Sequence, residues 1–270
     1  MKKVFSIAIS FALIFTLCST VFAKSSMDGL TSNEIAILKQ KGLNDEDIQD
    51  YPVEVLKELI ALNATLLAKG QKIGYDLVSE GPQNNGGIST NALTTSDITI
   101  AGDAWVVTSD WSGYKRIYLT GRYEWKIRPL FEFTDKMSIG YPTSAKFIFR
   151  TNNGLINGHT RGFQENICGQ SGYGSTMYTY QPSDWQPGAG LAASFNLSPS
   201  TPFNTYCLRK GWVSQYVYVN ENETGTTNIQ IRYGHSVLGL TPAVSVFPAG
   251  LAVTPSLNTE TIDYALTVTW

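Results

Sequence analysis

The chain has 270 residues, with 20 Lys and Arg against 22 Asp and Glu, a formal net charge of −2 and an isoelectric point near 5.7. No basic patch accompanies that balance, so nucleic acid is excluded as an expected partner. Charged residues make up only 16% of the chain, where about a quarter is usual, and Gly, Ser, Thr, Asn and aromatic residues replace them, as in a turn-rich extracellular β-protein.

Lys2 and Lys3 precede an uncharged run, Val4 to Leu17, rich in Phe, Ile and Leu, and Val21-Phe22-Ala23 then offers a cleavage site. This layout predicts a secretory signal peptide over residues 1–23, since the run is too short and wrongly flanked for a spanning helix. Cys18 falls inside it with no small residue before it, so it is expected to be removed and not lipidated. The expected location is extracellular.

Residues 24–80 read as a small helical module carrying six basic and ten acidic residues. Thr31 and Glu34 have capping-box spacing, and Gly42 marks a stop. Asn44 caps a second turn through Asp45, Glu46 and Asp47, whose charges suit a helix N-terminus. Pro52 opens a third segment. There Val55, Leu56, Leu59, Ile60, Leu62, Leu66 and Leu67 form a helical stripe ending near Gly70. Residues 81–96 are rich in Gly and Asn and read as a flexible linker. The module is thus expected to be a detachable pro-segment or partner-binding arm.

From residue 97 to 270 the period becomes two. Ile117, Leu119, Tyr123, Trp125 and Ile127 fall on one side of a strand, and Tyr118, Thr120, Arg122, Glu124 and Lys126 on the other. Phe131 and Phe133 extend the alternation. Residues 146–150, 207–219, 228–233 and 264–270 are further strands, separated by turn signals such as Asp110-Trp111-Ser112-Gly113 and Asn222-Glu223-Thr224-Gly225. The fold class is mainly β: an antiparallel β-sandwich or barrel-like domain preceded by the helical module. Cys168 and Cys207, the mature chain's two cysteines, are expected to form a disulfide closing a loop of about 40 residues and contributing roughly 3–4 kcal/mol.

The motifs point away from most chemistries. His159 and His235 stand far apart with no metal-ligand spacing, so no metal or cofactor is expected. Cys168-Gly169-Gln170-Ser171-Gly172-Tyr173 lacks the frame of a nucleophile elbow, since Tyr173 replaces its last glycine. Asp110, Glu124, Glu132, Asp135, Glu165 and Asp184 are the carboxylates from which a glycosidase would need a pair. Aromatic rings beside turns are the most suggestive feature. Trp111, Trp185 and Tyr114 are the candidate ligand-binding residues, because rings with a polar handle suit sugars or protein partners.

The leading expectation is a secreted, non-enzymatic binding or surface-associated module whose partner is a carbohydrate or an extracellular or cell-surface protein. The alternatives are an extracellular hydrolase acting on polysaccharide or peptide, and a membrane-inserting or pore-forming β-protein. The alternating C-terminal strand ending in Trp270 also suits a membrane barrel.

Overall fold

The computed structural model describes residues 29–71, 93–168, 176–201 and 205–270. The expected signal peptide, and the expected linker as far as residue 92, lie outside the described residues. Two compact units divide the chain, Met1–Ala61 and Leu62–Trp270.

The first unit contains helices α1 (Ser32–Gln40), α2 (Asp45–Asp50) and α3 (Val53–Ala61). Both capping boxes form. The Thr31 and Asn44 side chains accept from the Glu34 and Asp47 amides, and those carboxylates accept in return from the capping residues' own amides. Leu38, Ile48, Leu56 and Leu59 are fully buried.

Here the reading of a helical stripe through Leu67 needs correction. Helix α3 ends at Ala61, and Asn63 takes a left-handed conformation with φ +48°. Beyond it Thr65–Gln71 forms strand β1, paired antiparallel to β2 (Ile98–Val107). Helical spacing of three leucines fits a short strand as well, and the pairing energy of a sheet edge decides between them.

The second unit is mostly β with antiparallel sheets, and its sheets do not close into a barrel among the described residues. Its remaining strands are β3 (Tyr114–Trp125), β4 (Thr134–Gly140), β5 (Thr151–Asn152), β6 (Leu155–Ile156), β7 (His159–Ile167), β8 (Thr176–Thr179), β9 (Asp184–Gln186), β10 (Gly190–Asn196), β11 (Tyr206–Asn220), β12 (Thr226–Ser236), β13 (Val244–Phe247), β14 (Gly250–Val253) and β15 (Thr259–Thr269). One sheet has the order β1-β2-β3-β11-β7-β8 and the other β15-β12-β4-β10-β9. Between them pack Ile100, Ile117, Leu119, Tyr123 and Val213 from the first sheet, and Met137, Ile139, Phe195, Ile231 and Leu266 from the second. Gly102 and Gly121 are register partners on the first sheet, and both face Ile231 of the second. A Cβ on Gly102 would sit 1.8 Å from Cδ1 of Ile231, so any larger residue there requires the Ile231 side chain to move.

The alternation in β3 is as the sequence predicts for Ile117, Leu119, Tyr123 and Trp125, which all face the core. Ile127 lies past the strand end and is exposed. Its chain turns where the Lys126 amide donates to the Asp97 carbonyl (2.8 Å), and Pro129 follows. Residues 146–150 make only an isolated bridge, Ile148 to Tyr218, because Lys146 adopts φ +56° after a 3-10 turn. Trp212 is buried. It shares a sheet face with Arg122, its register partner, opposite to the face that holds Val213.

Cys168 and Cys207 are joined, with Cα atoms 5.0 Å apart, and link the end of β7 to the start of β11. Replacing both by serine is expected to lower unfolding free energy by about 3–4 kcal/mol in denaturant titration. An unchanged midpoint would contradict that contribution.

A second prediction concerns His159 at the start of β7. Burial lowers its pKa to about 3, the Arg161 charge adds to the effect, and a backbone contact with Ser214 opposes it. The unfolded imidazole gains its proton near pH 6.5. This residue's contribution to stability is therefore intact above about pH 6.5 and declines as pH falls towards 3, by up to about tenfold in the folding constant per pH unit. His159→Gln should flatten that part of the stability profile. An identical slope in the variant would show that other groups set it.

Candidate binding surface

Strand direction gives the sandwich two ends. Trp111 and Tyr114 lie at one of them, where β2 turns into β3. The Trp111 ring stacks on Tyr114 at 4.2 Å between centroids and meets Tyr218 edge-on at 5.3 Å. The Tyr218 hydroxyl donates to Asp110 (2.7 Å), and Arg150 donates to the same carboxylate (3.1 Å) while lying 5.9 Å from the Trp111 ring. Arg116 caps the Tyr216 ring at 3.6 Å. The structure therefore brings Trp111 and Tyr114 together, but most of their contacts are within the cluster. Trp185 is not part of it. That residue sits on β9, opposite Leu191, packed partly buried against the core and edge-on to Phe149.

The six carboxylates are all engaged. Glu132 and Glu165 meet on one buried guanidinium, Arg209, at 2.9 and 3.5 Å. Burial acts to raise the Glu132 carboxyl's pKa. Hydrogen bonds from the Ser200 hydroxyl and amide and the Arg209 charge outweigh it, and the net shift is downward. A cation between two nearly inaccessible carboxylates leaves no room for a sugar or an attacking water. Asp184 pairs with Lys136 at 2.7 Å. Glu124 faces Lys210 across β3 and β11.

Asp135 is fully buried at the start of β4. It accepts from the Tyr233 hydroxyl and from the Ser236 amide (3.0 Å), and Nδ1 of His235 lies 2.9 Å away. The Trp125 indole N–H donates to Tyr233 in turn, at 3.0 Å. Burial raises the Asp135 pKa, and these partners oppose it. Among the described residues, no group of three or more His, Cys, Asp or Glu could hold a metal.

Six large apolar side chains are exposed at the other end, above Asp135, while Leu155, Tyr180 and Val246 are exposed elsewhere. Three connections carry the six: residues 126–133 between β3 and β4, 237–243 between β12 and β13, and 254–258 between β14 and β15. Leu130 is 86% exposed and Leu257 77%, and Ile127, Phe133, Leu238 and Leu240 are also exposed. Phe131 stacks on Phe133 at 6.1 Å, and Gly239 lies against the Phe133 ring. The loops are held by their roots. The Val237 amide donates to Asn258 O (3.1 Å), the Ser236 hydroxyl to Leu240 O (2.8 Å) and the Leu197 amide to Phe133 O (3.1 Å).

Sequence reasoning missed this end. The signal was present in Pro129-Leu130, Leu238-Gly239-Leu240-Thr241-Pro242 and Pro255-Ser256-Leu257-Asn258. In each, leucine stands among turn formers, with no strand or helix period to bury it.

No protein-family model matches the chain, and no curated protein does. Among solved structures it is similar to one described as a pore forming protein, at 4% identity and TM-score 0.37, covering 77% of this chain and 92% of that one. It is also similar to the Clostridium perfringens NetB toxin in its membrane inserted form (8%, TM-score 0.31, 64% and 91% covered). A third is Clostridium perfringens delta-toxin (9%, TM-score 0.28, 66% and 86% covered). At these identities and TM-scores none of the three assigns the chain a fold family or an activity.

Tyr218→Phe tests the electrostatics of the Trp111 cluster. Burial acts to raise the pKa of Asp110. The Tyr218 hydrogen bond and then the Arg116 charge outweigh it, so the net shift is downward. Losing the hydroxyl should move the Asp110 titration upward by NMR. No movement would mean that the arginines alone hold it down.

Proposed function

We propose that this is a secreted, non-enzymatic module that attaches to a lipid surface through the loop end carrying Ile127, Leu130, Phe133, Leu238, Leu240 and Leu257. The supporting observation is that these large apolar side chains stand exposed on adjoining connections at one end of the sandwich. Exposed apolar patches mark protein or membrane contacts. Protein interfaces draw their energy from Trp, Tyr and Arg seated in pockets, with leucine under-represented. This end offers mainly aliphatic tips on protruding loops, which suits shallow entry into the headgroup and acyl boundary.

A hydrolase has less support, since the candidate carboxylates are taken up by arginine, lysine, tyrosine and backbone amides. Ligand binding by Trp111, Tyr114 and Trp185 is likewise the weaker proposal, because their rings pack mainly on neighbours of the same fold. No described helix is long and apolar enough to cross a membrane.

Vesicle co-sedimentation of the secreted protein tests the proposal. Leu130→Ser and Leu240→Ser should each weaken binding about tenfold, the loss expected from partial burial of one leucine. Both positions are exposed, so thermal stability should stay within a degree or two. Failure of the unaltered protein to bind vesicles, or full binding by the double variant, would overturn it.

A further inference from the structure

The apolar loop end is not electrically neutral at its tips. Lys126 and Arg128 interleave with Ile127, Pro129 and Leu130 in the connection that carries the most exposed leucine, and both are exposed. The Lys126 ammonium donates to a backbone carbonyl, Thr95 O, at 2.7 Å, a neutral partner that leaves it its charge. Arg128 donates through Nε to Glu132 at 3.1 Å, yet Glu132 also serves Arg209 and Ser200, and its side chain is only 9% exposed.

The carboxylates at this end are recessed. Asp97 is half-buried and accepts from the amide and hydroxyl of Thr94. Glu260 is half-buried on β15, beside His235 on β12. Glu165 and Asp135 are buried. Residues 237–243 and 254–258 contain no charged residue. Among the described residues, the exposed charges in the connection that carries Leu130 are therefore both cationic, with the recessed Glu132 paired to Arg128, on a chain whose formal net charge is −2.

We propose that Lys126 and Arg128 select a membrane bearing anionic headgroups, with Ile127 and Leu130 entering the interface between them. This rests on the attachment reading above and adds the identity of the surface. Long cationic side chains keep their heads at the phosphate level while their stems lie along apolar groups, so alternating cation and aliphatic residues fit that boundary. The planar Arg128 guanidinium suits phosphate oxygens in pairs. A protein partner at this end would leave the same cations at a rim where solvent screens them. Anionic lipid presents a continuous negative surface instead.

The experiment measures binding to vesicles of zwitterionic phospholipid alone and to vesicles with an anionic phospholipid added, at low and high salt. Each cation is worth about fivefold at an anionic surface. The Lys126→Gln, Arg128→Gln double variant should therefore bind anionic vesicles about 30-fold more weakly and zwitterionic vesicles unchanged. Arg128→Lys should retain most of the preference, and high salt should abolish it. Equal binding of the unaltered protein to both vesicle types overturns this inference. So does a double variant that keeps the anionic preference. In either case, loss of binding in Leu130→Ser would leave the attachment reading standing. Binding to neither vesicle type overturns both.

Discussion

The carboxylate of Asp135 holds one end of the sandwich together. It is fully buried where β4 begins, and its oxygens gather the Tyr233 hydroxyl, the Ser236 amide and the His235 ring, while Trp125 reaches Tyr233 from the other sheet. An acidic side chain in that position is tolerated because its partners are all in place; removing one leaves a buried hydrogen-bonding position unfilled at a cost of about 1–3 kcal/mol. The network therefore fixes the ends of β3, β4 and β12 relative to one another, and the connections that leave those ends start from rigid roots.

That rigidity has a consequence for what the sandwich exposes. The buried carboxylates are tied down in pairs and triads, from Asp135 to Glu132 and Glu165 on Arg209. The aromatic rings at the opposite end are largely tied down too, by stacking, by cation contacts and by Asp110. The apolar tips at the Asp135 end have no comparable partners among the described residues, and Lys126 and Arg128 stand beside them. A loop whose root is fixed holds its tip in place before contact, so less ordering entropy opposes binding. The anchored network and the exposed leucines are then two parts of one arrangement: a buried polar base and an exposed apolar rim.

Much of the fold was legible in the sequence because its signals are local. Thr31 and Glu34, and Asn44 and Asp47, announce helix starts through capping chemistry that acts over three residues. The Ile117–Trp125 alternation announces a strand with one face in the core, though not that Tyr118 and Thr120 on its other face are buried as well, and two cysteines after an expected signal peptide announce their bond. Leu66 and Leu67 misled because a short leucine pattern fits both periods, and the left-handed Asn63 that separates helix from strand has no periodic signature. The candidate surface was harder to read. Trp111 and Tyr114 drew notice as aromatic rings beside a turn. Leu130, Leu238, Leu240 and Leu257 did not, because a leucine in a turn-rich stretch is informative only once it is known that three such stretches share one end of the sandwich. That fact comes from strand order, in particular the pairing of β12 with both β4 and β15.

Depth measurement by spin labelling tests the account most directly. A label placed at residue 240, on the apolar end, and a second at residue 112, beside Trp111, would be compared in water and on anionic vesicles. The label at 240 should gain collisions with lipid-soluble oxygen and lose them with a water-soluble nickel complex on vesicle addition, while the label at 112 remains in water. Both labels staying aqueous, or the label at 112 entering the lipid in place of that at 240, would contradict the assignment of the attachment surface.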